Sequence, residues 1–503
     1  MTQQEKKGKQ SKVEEETRIV PISSAVFEEF LVEQVWFEKR AVFQLHRVKG
    51  NEPDRILDII DSADEQGRPL KYVPIDNDHL RKGSVWIPKA HTDIQNVSFE
   101  DLWGLQDKLL DASFDSITQR EMARLYLRIC TSSWFIDKEE TGIAGVGKFA
   151  PILPIRGLSG GGKSRFMFVC RACSYHPFYQ SATNKIPSIY RPLENWKGVL
   201  FLNECNIEPN GKDKDLGDFL LARSYGDPIS RQNPNNITES NAFNQFQLTV
   251  VTQRENFGEN AHEGRSIPFY TEKSWQKLPT LETPEMIELA EQIQSTSLAL
   301  RMKYYPKVEI KKDLWLETSD ARLNAALLPL AALSEFDNGI SILLNGQLKR
   351  IERQKTELKA QSDDGELTNY LFQLLQSEDG EGERYERHQG NTYYFLEKNT
   401  IEGEGDQEKL VKLPLTSTGL AYKLGFKSAK AVRQKLDALM HTEDLPLQIR
   451  PKDKVTNGGK PFKPVWFRVE SLLKLFREFV PNFDQNKIPE DLIKPKELGD
   501  YGN

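Results

Sequence analysis

Gly157-Leu-Ser-Gly-Gly-Gly-Lys-Ser164 constrains this 503-residue chain more than any other stretch. It satisfies G-x-x-x-x-G-K-[ST] at every fixed position, a pattern that functions only between a strand and a helix. Both neighbours are present. The apolar run Ile152-Leu-Pro-Ile155 predicts a short buried strand, and Arg165-Phe-Met-Phe-Val-Cys-Arg-Ala-Cys173 predicts a helix. In that setting Gly157, Ser159, Gly160, Gly161, Gly162, Lys163, Ser164 and Arg165 turn backbone N–H groups around a polyphosphate, at the positive end of the helix dipole. Lys163 then reaches the β- and γ-phosphates and the Ser164 hydroxyl sits on Mg2+. ATP and Mg2+ are the expected ligands.

The length suggests about three domains. At 38% hydrophobic and 28% charged residues, the composition suits a soluble protein with real cores. No run of apolar residues reaches the length of a membrane span. Residues 1–17 read as a disordered, mixed-charge tail without the apolar segment of a signal peptide. Four cysteines in so long a chain argue for a reducing, cytoplasmic setting rather than a disulfide framework. The net charge of −6 conceals an uneven distribution. Residues 410–475 hold 13 Lys or Arg against 5 Asp or Glu, whereas 361–409 is acidic and glycine-dotted. That break marks a boundary and gives the C-terminal part a basic footprint.

The predicted organisation follows. Residues 18–98 form a small α/β domain, with strands near Val35–His46 and Ser84–Pro88 and a short helix over Asp54–Asp61. Residues 99–137 are helical, with Ser98 or Asp101 as cap, and pack against the nucleotide core. Residues 138–285 alternate strand and helix signals, as a parallel α/β sheet does. Residues 286–360 are a helical lid. Residues 361–409 are an acidic linker, 410–480 a basic module, and 481–503 a tail.

Hydrolysis needs more than a phosphate loop. Gly198-Val-Leu-Phe-Leu-Asn203-Glu204 is an apolar strand that ends in polar groups. Glu204 is placed to deprotonate an attacking water. Asn203 stands where a second acid is usual; its amide oxygen can serve Mg2+ together with Ser164, but it carries no charge. A third strand, Gln247–Thr252, is followed by Gln253, the expected sensor between water and γ-phosphate, with Thr252 next in line. Arg265, in Glu263-Gly-Arg265-Ser-Ile, reads either as an arginine finger completing a neighbour's site or as a surface salt bridge. The catalytic set is thus Lys163, Glu204, Gln253 and Arg265.

Several blocks carry a resemblance: Ile155–Phe166, Trp196–Glu204, Leu220–Gly226, Thr252-Gln-Arg-Glu-Asn-Phe257 with Glu263–Ile267, and Arg322–Leu330. Their order and spacing resemble the AAA+-type P-loop ATPases of archaeal plasmids, viruses and other mobile elements, a group related to replicative helicases and primase-helicases. The chain departs from that pattern at Asn203 and Gly264. The resemblance implies an AAA+-like core with a helical lid and a ring-forming homo-oligomer, for example a hexamer, with ATP between subunits. It also implies that Arg265 acts in trans and that Arg322 serves as a second sensor from the lid.

Two patterns are set aside. Gly145-Val-Gly-Lys148 has no Ser or Thr after its lysine and reads as a loop. Cys170-Arg-Ala-Cys173 has no partner pair at zinc spacing and reads as core packing.

In the basic module, Leu413–Gly425 and Ala429–Met440 read as two helices around a short turn. Leu447–Arg450 and Pro464–Val469 read as strands bracketing a glycine-turned basic loop. Together these predict a winged helix-turn-helix. Lys427, Lys430, Arg433, Lys435, Lys452, Lys454, Lys460 and Lys463 would then face DNA phosphates. Winged helices also dock proteins, and lysine-rich faces are often merely solvated. The expectation from sequence is an ATP-dependent DNA-processing motor, a helicase or replication-initiator ATPase of a mobile element. The alternative is an ATP-controlled DNA-binding switch, a regulator or partition factor, with little hydrolysis.

Overall fold

The computed structural model describes residues 17–49, 54–64, 67–91, 93–115, 119–139, 149–205, 214–233, 236–254, 256–257, 260–273, 278–311, 315–318, 320–360, 363–376, 384–388, 391–395, 397–402, 409–414, 424, 428, 430, 432, 434, 455–457, 460–462, 466–481 and 483–484. The chain divides into two units, residues 1–349 and 350–503.

The first unit opens with seven strands: β1 (Arg18–Ile22), β2 (Ser24–Val26), β3 (Phe30–Phe37), β4 (Arg40–Arg47), β5 (Arg55–Leu57), β6 (Ile60–Ala63) and β7 (Pro69–Pro74). β3 and β4 are rich in Val, Phe and Leu and pair antiparallel across Glu38-Lys39. Both turn residues have positive φ. A two-residue turn that matches the twist of its strands requires this. One sheet has the order β2-β3-β4-β5 and another β1-β7-β6. A one-turn helix, α1 (Asp78–Arg81), is capped by Asn77. The region is therefore β-rich, and the helix expected over Asp54–Asp61 is absent. Arg55–Leu57 instead pairs with Phe43–Leu45 of β4, and Ile60–Ala63 with β7. Ladder pairing at two sheet edges outweighs a one-turn helical pattern.

Two helices follow, α2 (Phe99–Ser113) and α3 (Arg120–Ser132). Ser98 and Asp101 cap α2 together, each side chain accepting from the other's backbone N–H. The core sheet comprises β8 (Ile152–Arg156), β9 (Phe178–Ser181), β10 (Leu200–Asn203), β13 (Thr249–Gln253) and β14 (Phe269–Tyr270). Interspersed are α4 (Lys163–Cys173), α5 (Ile186–Trp196), α6 (Lys214–Tyr225), the hairpin β11 (Ile229–Asn233) with β12 (Asn236–Phe243), and α7 (Asn260–Glu263). The sheet order is β14-β8-β13-β10-β9, every neighbouring pair parallel. β8, β10 and β13 are almost wholly buried, as strands sandwiched by helices must be. The edge strand β9 is covered from the N-terminal region: Tyr179 N–H donates to Ser84 O at 2.8 Å, and Val85 bridges Phe178.

Buried arginines pin these pieces. Arg301, on α8 (Pro284–Tyr304), bonds Glu33 of β3 at 2.6 Å and Asp137 at 2.5 and 3.0 Å. Tyr175 O–H donates to the second Glu33 oxygen at 2.9 Å. Glu33 is wholly buried; burial raises its carboxyl pKa, and Arg301 opposes the rise. Arg223 on α6 donates to Gly198 O, Gln245 O, Leu248 O and Thr249 Oγ1, tying together the chain entering β10 and β13. Burial pulls its pKa down to about 9. Helix α9 (Ala321–Leu333) follows, and α10 (Asn338–Ala360) carries the chain across the division at residue 349.

The second unit holds α11 (Asp363–Gln376), β15 (Arg384–His388), β16 (Asn391–Phe395), β17 (Glu397–Glu402), β18 (Lys409–Pro414), β19 (Val455–Asn457), β20 (Lys460–Phe462), β21 (Trp466–Arg468) and α12 (Val469–Phe479). Residues 361–409 thus carry a helix and three strands where a linker was expected. The cause is apolar: Leu367, Leu371 and Phe372 on α11 are buried with Leu472, Leu475 and Phe476 on α12, and the Phe372 and Phe476 rings lie 5.1 Å apart. Leu413-Pro414 ends β18, paired with β17, rather than starting a helix. β19 and β20 form a hairpin inside the expected basic loop, and β21 pairs with β16. Of the second predicted helix, Lys430, Val432 and Gln434 are described; Val432 is buried and Lys430 exposed. Lys460 starts β20. Lys427, Arg433, Lys435, Lys452, Lys454 and Lys463 lie outside the described residues, as does Gly145–Lys148. Among the described residues, no helix is long and apolar enough to cross a membrane.

Glu33→Leu strips the buried Arg301 of one of its two carboxylates. It is expected to lower stability by about 3–5 kcal/mol, and Glu33→Leu with Arg301→Met to recover most of that loss. Urea-denaturation midpoints of the three chains check both.

Candidate phosphate-binding site

The site is built at the carboxyl ends of β8, β10 and β13, where open parallel sheets place their ligands. β8 delivers the chain into the glycine loop, and the loop ends at Gly162, which caps α4 in the left-handed conformation. Two glycines are required by contact as well as by backbone. A Cβ on Gly157, itself at positive φ, would stand 2.3 Å from Thr271 Oγ1 and 2.7 Å from Thr271 O. A Cβ on Gly162 would meet the Phe114 ring at 3.1 Å. Gly160 also has positive φ but open space beside it, so at that position the backbone alone selects glycine.

A cavity of about 1010 Å3 opens above the loop. It brings together Ser159, Gly160, Gly161, Gly162, Lys163, Ser164 and Arg165 with Asn203, Glu204, Thr252 and Gln253. Gly157 lies beneath: its carbonyl, with that of Leu158, accepts from Lys163 Nζ at 2.7 and 2.8 Å. Partial burial and then the nearby Arg254 hold the Lys163 ammonium pKa below the usual lysine value; Glu204 acts the other way. The lysine head thus lies folded on its own loop among converging charges, where an anion would draw it outward.

The tip of β13 organises the acid side. Thr252 Oγ1 donates to Asn203 Oδ1 at 2.8 Å and accepts from Glu204 N–H at 2.9 Å, while Thr252 O accepts from Cys205 N–H at 2.7 Å. Glu204 is exposed to the cavity and has positive φ, a left-handed backbone uncommon for a residue with a Cβ. The two bonds that Thr252 accepts, from Glu204 N–H and Cys205 N–H, hold that backbone in place. Ser164 hydroxyl, Asn203 amide and Glu204 carboxylate offer hard oxygen ligands on one cavity, a set that fits Mg2+.

Gln253 lines the cavity but is buried, and its Nε2 has no partner among the described residues. Arg254, the next residue, is exposed into the same cavity and is a cation to which the sequence patterns assign no role. Its signal was available: a cation one residue past the end of a strand that runs beside the loop strand. Arg265 is not at this cavity. Its carbonyl accepts from Ile152 N–H, at the end of β8 opposite the glycine loop. Its guanidinium stacks on Tyr225 at 4.6 Å, donates to the Tyr225 hydroxyl at 2.8 Å and also donates to Ala261 O. Arg322 is exposed at the start of α9 and does not line the cavity. Cys170 and Cys173 are wholly buried, and burial pushes both thiols well above their usual pKa. Among the described residues, no group of His, Cys, Asp and Glu forms a metal cluster.

No protein-family model matches the chain, and no curated protein matches it. Among solved structures, it is similar to the Cch helicase of SCCmec type IV, with a TM-score of 0.41 and 11% identity over 92% of this chain and 80% of that one. It is similar to the NrS-1 C-terminal region, with a TM-score of 0.28 and 13% identity over 69% of this chain and 78% of that one. A third similarity is to the JCV helicase, with a TM-score of 0.21 and 10% identity over 52% of this chain and 75% of that one.

Gly157→Ala forces a Cβ into Thr271 and is expected to cost about 1–3 kcal/mol. Gly104→Ala, which meets nothing within 4 Å in a helix, is expected to be neutral or stabilising. Thermal denaturation of the two variants against the native chain checks the difference.

Proposed function

We propose that the chain is an ATP-dependent DNA-processing motor, a helicase or replication-initiator ATPase of a mobile element, acting as a homo-oligomeric ring. The observation that carries the reading is convergence: Lys163, Ser164, Asn203, Glu204 and Arg254 meet on one cavity above a glycine loop at the carboxyl edge of a parallel sheet. In this reading the loop N–H groups and Lys163 bind the triphosphate. Ser164 and Asn203 hold Mg2+, which offsets phosphate charge. Glu204 takes the proton of the attacking water, and Gln253 and Arg254 contact the γ-phosphate side. Arg265, at the opposite end of β8, serves an adjacent copy's site once released from Tyr225.

DNA contact rests on charge. Lys430 is exposed, Lys460 begins the second strand of a short hairpin, and the sequence around them is strongly basic. The hairpin β11–β12 is a second candidate, because its sequence is polar, with Arg231, four asparagines and a single acid, Glu239. Binding to DNA should therefore weaken steeply with salt.

One observation favours the second reading, an ATP-controlled DNA-binding switch. Asn203 is uncharged, and its amide oxygen already accepts the Thr252 hydroxyl. Both weaken its hold on Mg2+.

Turnover with and without DNA separates the two. The motor reading expects DNA-stimulated hydrolysis in the native chain, lost by about 10²-fold or more in Lys163→Ala and Glu204→Gln. Thr252→Val, which removes the clamp on Glu204, should lower turnover while Thr252→Ser restores it. Tight ATP binding with negligible native turnover, raised by Asn203→Asp, supports the switch instead. Failure of the native chain to retain ATP with Mg2+ rejects both.

A further inference from the structure

Arg156, the last residue of β8, directly precedes Gly157 and is 1% exposed. Its Nη2 donates to Glu263 Oε1 at 2.5 Å, and the same oxygen accepts from Phe257 N–H at 2.7 Å. The guanidinium lies over the Phe257 ring at 5.5 Å. Glu263 ends α7, two residues before Arg265, and Phe257 follows Arg254 by three. A single carboxylate oxygen therefore joins three functional segments: the root of the phosphate loop, the tip of the sensor strand, and the stretch that presents the candidate finger.

The pair is only half made. Arg156 Nε and Glu263 Oε2 are both buried and have no partner among the described residues. Unmet buried polar atoms are unfavourable, and Arg–carboxylate pairs gain from a two-bond fork. A spare donor and a spare acceptor on the same pair are what a second, forked bond would use.

We propose that Arg156 and Glu263 are positioning residues that transmit the state of the phosphate loop to the Arg265 segment, singly bonded here and forked when the finger is presented to a neighbouring site. This rests on the ATPase reading above, and it adds the route by which one site's occupancy reaches the next.

The test is Arg156→Met with Glu263→Gln, which removes both charges at similar volume and keeps an acceptor for Phe257 N–H, so that folding is preserved. The expected result is a melting temperature near native and ATP affinity within about threefold of native, but turnover reduced about 10³-fold, as for Arg265→Ala. Adding Arg265→Ala to the pair should reduce turnover no further, because groups acting as one unit are not additive. Arg156→Lys, which keeps the charge but cannot form the fork, should fold and lose turnover likewise; it decides the matter should the double variant be unstable. Native turnover in a folded double variant or in Arg156→Lys, a parallel loss of ATP affinity, or a further drop with Arg265→Ala would each overturn the proposal. A native chain that binds ATP without hydrolysing it defeats the motor reading itself, and the inference with it, before any variant is compared.

Discussion

Everything at the carboxyl edge of the sheet depends on where β13 ends relative to β10. Thr252 stops beside Asn203 and Glu204, so that one hydroxyl both donates to the amide and accepts from the acid's backbone. Strand register sets this spacing, since Leu200–Leu202 pairs with Thr249–Val251. A slip by one residue would turn Thr252 to the other face. It would free Glu204 from a backbone conformation that it would not otherwise hold.

The register is secured at the opposite end of the strands. Arg223 ties Gly198, Gln245 and Leu248 to one helix through carbonyls, a bond set that satisfies the guanidinium without a carboxylate in that set. Burying the charge costs enough to draw its pKa to about 9. Arg301 does a comparable task between the N-terminal strands and α8, with Glu33 and Asp137 supplying the countercharge. The two arginines differ in kind. One orients strands through neutral dipoles; the other joins separate parts of the chain through ions, and loss of either partner leaves a buried charge.

Much of the core was legible because its signals are local. The glycine loop, the strands around Leu153, Leu202 and Val251, and the Ser98 cap each follow from a few adjacent residues. Asn203 and Glu204 were found for the same reason. What escaped notice depends on distant partners. Ile56 and Ile60 look helical until β4 and β7 are present to pair with them. The acidic stretch near Asp363 reads as a linker because its charges outnumber the apolar stripe Leu367–Leu371–Phe372, whose partner lies about a hundred residues later on α12. Arg254 was overlooked because it stands one residue past the end of β13, where it lines the cavity beside Gln253. That depends on where the strand ends, which pairing and not propensity determines.

The cover that Ser84 and Val85 give to β9 bears on how this protein can be divided. A core freed of its first hundred residues would show bare amide and carbonyl groups along Phe178–Ser181, next to surfaces once sheltered by Trp36 and Ile87. Exposed strand margins of that kind recruit one another. The Ser84–Val85 segment therefore guards that strand margin against self-association through the sheet.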